Sequence, residues 1–140
     1  MVYNGANVIT IKILIIMELT VKDRILIANE LLPRVDTMRG MELATGIAAK
    51  MKLSDEENEQ VVINREATGI MNVGFKNAAI VSTTKDVDLT DEELDYIKIK
   101  VNMIDRNGMI SADNIATYKK ILDTEYIDEN YEKSIETTQL

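Results

Sequence analysis

The chain has 140 residues, 46% of them hydrophobic and 29% charged, with five Tyr, one Phe, no Trp and a formal net charge of −8. That length suits one domain whose core needs no disulfide or metal staple. With neither Cys nor His present, thiol and Ser-His-Asp catalysis cannot be assembled. Zinc, copper and non-haem iron lose their usual ligands, and only oxygen-ligand sites for hard cations remain.

The core must be built from Ile, Leu, Val, Ala and Met. Eight Met imply adaptable packing or an adaptable contact surface. The charge is divided unevenly. Residues 1–53 carry seven basic and five acidic side chains, and residues 54–140 carry nine and nineteen. The acidic second half argues against nucleic acid as a partner, because a nucleic-acid groove needs clustered Lys and Arg. It suits either a basic partner or simple solvation.

The N-terminal run Val8-Ile-Thr-Ile-Lys-Ile-Leu-Ile-Ile-Met17 is too short for a membrane span and is interrupted by Lys12. It lacks the basic region and cleavage site of a signal peptide. Two readings stay open for residues 1–16: a β-branched strand, or an extension upstream of a start at Met17. Thr20 with Asp23 can cap a helix whose apolar positions Val21, Ile25, Ala28 and Leu32 follow helical spacing, with Pro33 as the stop. A second helix is expected from Thr37 or Met38 to Met51, with a buried stripe of Met41, Ala44, Ile47, Ala48 and Met51. Ser54-Asp-Glu-Glu57 is a capping box for a short third helix, or an acidic turn.

Between residues 60 and 89 the β-branched content rises, broken by Gly and Asn. One or two short antiparallel strands are expected over Val61–Asn64, Gly69–Phe75 and Ala78–Ser82, with Asp86–Leu89 also extended. Ala78–Ser82 could instead be helical. Thr90-Asp-Glu-Glu93 caps the helix that carries Leu94, Ile97, Val101 and Ile104 and stops at Arg106-Asn-Gly108, where Gly supplies a left-handed cap. Ser111 is expected to open a last helix with Ile115, Tyr118, Ile121 and Leu122 on one face, followed by a polar tail over 125–140.

Three patterns touch on function. The helix–Asn-Gly–helix segment is similar to an EF-hand, with Asp105, Asn107 and Asp113 as candidate oxygen ligands. Aligned on Gly108, it places Met103 and Asn114 where the first and last carboxylates should stand, so a plain helical hairpin is the preferred reading. The acidic clusters at 55–57 and 91–95 lie at expected helix starts, where the helix dipole accounts for them without catalysis. No Gly-Lys-Ser/Thr or dinucleotide fingerprint is present.

The order of segments carries a resemblance. Thr20 through Pro33 (TVKDRILIANELLP), Met51-Lys-Leu-Ser-Asp-Glu-Glu57, Val87-Asp-Leu-Thr-Asp-Glu-Glu93, Asn107-Gly-Met-Ile-Ser111 and Tyr118-Lys-Lys-Ile-Leu122 together resemble small bacteriophage and prophage accessory proteins over residues 17–124. The resemblance implies a role in particle assembly or host interaction, in the host cytoplasm or the virion, and transfers no catalytic residue.

The sequence therefore predicts an α-dominated α+β fold: four or five helices with a small antiparallel β element in the middle, in a single globular domain at 17–124. The expected function is non-enzymatic protein binding, without cofactor, membrane or nucleic acid, through Met41, Ile47, Met51, Glu92, Asp95 and Tyr118, with another protein or a second copy as partner. A nucleic-acid-mimicking inhibitor and a calcium-responsive helix pair are the alternatives.

Overall fold

Alternation sets the first element. From Leu14 the side chains are exposed and buried in turn, and the computed structural model, which describes residues 14–69 and 71–125, forms strand β1 over Leu14–Thr20. Its partner is distant. β1 pairs antiparallel with β4 (Thr84–Thr90), in a register that sets Ile15 against Leu89 and Met17 against Val87 on the inner face. A second antiparallel pair, β2 (Val61–Arg65) and β3 (Met71–Phe75), forms a separate two-stranded hairpin. The expected middle β element is thus this hairpin, and the N-terminal strand belongs to a different sheet. Residues 1–13 and the tail beyond 125 lie outside the described residues.

Five α-helices complete the described fold, which is helix-dominated α+β. Three of them start on the capping boxes seen in the sequence. Thr20, Ser54 and Thr90 each accept from the backbone N–H three residues on, and Asp23, Glu57 and Glu93 each reach back. Such a cap contributes about 1 kcal/mol. They begin α1 (Val21–Leu26), α3 (Asp55–Gln60) and α4 (Asp91–Arg106). α1 continues as a wider turn over Ile27–Leu31 and ends at Leu32, whose ψ of 125° is the extended value that a following Pro33 enforces. α4 ends before Gly108, which takes a φ of +69°.

Two helices differ from expectation at individual positions. In α2 (Met38–Met51) the buried positions are Gly40, Ala44, Ile47 and Met51, while Ala48 is exposed and Met41 half-buried. Ala44, Ile47 and Met51 are thus buried as expected, and Gly40 joins them, packed so closely against the Asp36 carboxylate that no Cβ would fit. The last helix, α5, spans Ile115–Asp123, so Ser111 caps the preceding turn and does not open the helix: its hydroxyl accepts from the N–H groups of Asp113 and Asn114. α5 buries Thr117, Tyr118 and Ile121, whereas Ile115 and Leu122 are exposed. A polar contact sets this rotation, since the Thr117 hydroxyl turns inward to donate to Asp23 Oδ1 at 2.5 Å.

The main core lies between the inner face of the β1–β4 sheet and helices α2, α4 and α5, with Leu19, Ile47, Leu89, Leu94, Ile97 and Ile121 fully buried. A smaller cluster joins Val21, Ile25 and Leu26 of α1 to Met71 of the hairpin. α1 contributes to the second cluster, and the turn that extends it contributes Ile27 and Leu31 to the first. α1 is therefore buried almost all round, and its charged residues need internal partners. Arg24, 1% exposed, donates to Glu57 and to the Lys52 carbonyl. Asp23 accepts from Thr117 and Lys120. Burial alone would raise the Asp23 carboxyl. Hydrogen bonds from Lys120, Thr117 and the Thr20 N–H, with the Lys120 charge, outweigh burial and hold it below the usual range.

Candidate interaction face and internal cavity

The residues expected to make contacts divide by burial. Glu92 and Asp95 are exposed on α4, where Glu92 Oε2 accepts from Arg39 Nη2 at 2.8 Å. Ile47, Met51 and Tyr118 are at most 2% exposed and form part of the main core, and Met41 is half-buried. The apolar, Met-containing face of α2 is thus an interior wall, already covered by α4 and the sheet. Of the calcium-ligand candidates, Asp113 accepts from Lys22 at 3.0 Å. The turn's polar side chains serve its own backbone: Asn114 accepts from the Ser111 N–H and donates to the Met109 carbonyl. Among the described residues no three acidic side chains converge as a metal site.

An open surface lies instead on the outer face of the β1–β4 sheet. The register places Ile16 opposite Asp88 and Glu18 opposite Asp86, all pointing away from the core. Leu14 and Ile16 are 45% and 63% exposed. Among the described residues the carboxylates of Glu18, Asp86 and Asp88 have no ion-pair partner; the Glu18 carboxylate accepts from the Thr84 hydroxyl, and the Glu18 carbonyl accepts from Lys120 Nζ. Like charges directly opposite across strands destabilise a sheet. This surface therefore combines carboxylates that have no ion-pair partner among the described residues with exposed aliphatic side chains. Periodicity signalled the two strands separately; their pairing across the chain, which creates the face, left no local signal.

The second feature is a pocket open at the surface. A cavity of about 300 Å³ opens between α1, the β2–β3 hairpin and the α4–α5 turn, lined among others by Leu26, Glu30, Met71, Met109 and Tyr118. Tyr118 is 2% exposed, and its hydroxyl has no hydrogen-bond partner among the described residues. Leaving such a group unpaired costs on the order of 1–3 kcal/mol. Burial, and after it the negative charge of Glu30, push the Tyr118 phenol well above its ordinary value, so it stays protonated. Glu30 is half-buried and meets Arg65 Nη1 at 3.4 Å, an atom that also donates to the Gly69 carbonyl at 2.9 Å. Sequence reasoning placed Tyr118 on the inner face of α5 without its orphaned hydroxyl, because only the fold brings it near Glu30.

Comparison with protein-family models, curated proteins and solved structures gives no match. Among the described residues no helix is long and apolar enough to cross a membrane.

Proposed function

We propose that the chain is a non-enzymatic protein-interaction module, and that the outer face of the β1–β4 sheet receives a basic, partly apolar segment of another protein. The observation that carries this reading is the Glu18–Asp86 cross-strand pair, with Asp88 opposite the exposed Ile16. A cationic side chain seated between Glu18 and Asp86 would relieve their repulsion, while Leu14 and Ile16 supply apolar area. A second copy is the poorer partner, because it would bring the same acids and a further net charge of −8 to the contact. The aliphatic residues among the acids also distinguish the face from an unbroken phosphate-like row, which favours a mixed basic and apolar protein segment over the groove a nucleic-acid mimic would fill. The segment order that resembles small phage and prophage proteins supports a structural or assembly accessory role in the host cytoplasm or the virion.

The test is an NMR titration with an amphipathic Lys/Leu peptide. Shifts concentrated on residues 14–18 and 86–88, lost in the double variant Glu18→Lys/Asp86→Lys, are expected. Shifts spread evenly over the acidic surface, or unaltered binding by the double variant, would overturn the proposal.

A further inference from the structure

The β1–β4 ladder has a definite phase, which decides the backbone groups that face outward. In an antiparallel pair, directly opposed residues alternate between those that exchange both backbone hydrogen bonds and those that exchange neither. Three backbone groups are engaged away from the facing strand. The Thr20 N–H donates to Asp23 Oδ2 at 2.9 Å, the Thr90 N–H donates to Glu93 Oε1 at 2.9 Å, and the Glu18 carbonyl accepts from Lys120 Nζ at 3.3 Å. All three belong to one alternate set of the register: Leu14–Thr90, Ile16–Asp88, Glu18–Asp86 and Thr20–Thr84. These pairs therefore exchange no ladder bonds, and their N–H and C=O groups point to the outer edges of the sheet.

On β1, Lys120 already covers part of that edge at Glu18. On β4, the N–H and C=O groups of Asp86 and Asp88 have no hydrogen-bond partner among the described residues, and both residues are exposed. Such an edge is a template for a further strand, and its side chains select which one. Asp86 and Asp88 stand two positions apart on the outer face, so an added strand meets them with alternate residues about 7 Å apart. A second copy pairing through β4 would set acid beside acid, which destabilises a sheet. A cation beside each aspartate attracts instead, and the apolar stem of a lysine beside Asp88 can lie over Ile16, the cross-strand neighbour of Asp88.

Resting on the assignment of this face to a basic protein segment, we propose that the segment binds as a third strand of the sheet. It runs extended along the outer edge of β4, with backbone hydrogen bonds to Asp86 and Asp88 and with cationic side chains at alternate positions. Main-chain hydrogen bonds then supply affinity, and the alternate side chains supply specificity. A helix laid across the face would leave the Asp86 and Asp88 backbone groups to water, and would bring its cations at a spacing of three or four residues.

The experiment titrates the full chain with two short peptides of equal Lys and Leu content, one strictly alternating and one with its leucines at helical spacing, followed by NMR on the backbone amides. The alternating peptide should bind several-fold more tightly and slow hydrogen exchange at the Asp86 and Asp88 N–H groups. N-methylation of one alternate set of its residues should weaken binding about ten-fold, the scale of one or two lost hydrogen bonds. Methylation of the other set should change it little, since only one set points its N–H groups at β4. The proposal is overturned if the helical-spacing peptide binds as tightly, or if methylating either set has the same effect. Slow exchange at Asp86 and Asp88 before any peptide is added would also overturn it, by placing another occupant on the edge. In the first two cases, shifts still centred on residues 14–18 and 86–88 remove the third strand and leave the binding face standing. The absence of any shift there removes both.

Discussion

Lys120 Nζ donates a hydrogen bond to Asp23 Oδ2, tying α5 to the first turn of α1 across 97 residues of chain. Asp23 holds three tasks with one carboxylate. It closes the Thr20 capping box, accepts from Thr117 and accepts from Lys120. Because Thr117 must face Asp23, this carboxylate also decides which side of α5 is buried.

Asp23→Ala should therefore cost more than an ordinary cap. The Thr20 N–H loses its side-chain acceptor while the Thr20 hydroxyl still caps the helix, and ~1–3 kcal/mol follows from the buried Thr117 hydroxyl left without an acceptor. Lys120→Ala should cost less, about 0–1 kcal/mol, because the Lys120 side chain is 38% exposed and water can replace the pair. Urea denaturation of both variants checks the order. Equal losses would mean that Asp23 acts mainly through the ion pair.

The same carboxylate gives the fold an acid limit. Its folded-state pKa lies below that of the unfolded chain, so its contribution is complete above the ordinary carboxylate value near 4 and is lost as pH falls through the lower folded value. Glu57 acts in the same direction. Burial would raise it, but the Ser54 N–H and the Arg24 guanidinium hold it down. Thermal unfolding followed from pH 6 to pH 2 should show Tm falling below about pH 4, with a shallower fall in Asp23→Asn.

The local parts of this fold were legible in the sequence, and the parts set by distant contacts were not. Thr20, Ser54 and Thr90 could be read as caps because a capping box closes within four residues. Gly108 could be read as a helix stop because a positive φ is a property of one residue. The rotation of α5 could not, since Thr117 faces inward for an aspartate 94 positions away. The apolar stripe of α2 was right at Ala44, Ile47 and Met51 and that of α5 at Tyr118 and Ile121, while Ala48, Ile115 and Leu122 were placed inward and lie exposed. Both surface and cavity depend on such long-range neighbours: Glu18 becomes a like-charge neighbour of Asp86 only through the β1–β4 register. Tyr118 and Glu30, 88 positions apart in the chain, come to line one pocket only through the tertiary fold.

Tyr96 should contribute to alkaline unfolding alongside Tyr118, whose phenol burial also raises. The Tyr96 phenol is pushed up to about 12, first by burial and then by the hydrogen bond to Asp36 at 2.5 Å and that residue's charge. An unfolded tyrosine ionises near 10. The folded state therefore holds its proton more tightly, and stability that is complete below about pH 10 is lost as pH rises towards 12. Gly40→Ala tests the link, because a Cβ there overlaps the Asp36 carboxylate and must displace it. Phenolate absorbance, compared with Tyr96→Phe, should show the late tyrosine step in the wild type and its return towards 10 in Gly40→Ala. An unchanged late step would show that Asp36 contributes little to it.

The outer face predicts an opposition between stability and binding. In Asp86→Lys the residue across from Glu18 becomes cationic, replacing a like-charge pair by an attractive one in the same register. Cross-strand pairs of this kind are worth roughly 0.2–1 kcal/mol, so the variant should be more stable than the wild type by about that amount. The gain should shrink in high salt, since the residues are exposed and screened. The substitution also fills internally the place proposed for a partner's cation, so affinity for the Lys/Leu peptide should fall several-fold, mainly through slower association. Ile16→Ser separates the two contributions of the face. It should leave stability nearly unchanged, because Ile16 is 63% exposed, yet weaken peptide binding through lost apolar contact. If Asp86→Lys gains stability without losing affinity, the repulsion between Glu18 and Asp86 is real, but the partner docks elsewhere.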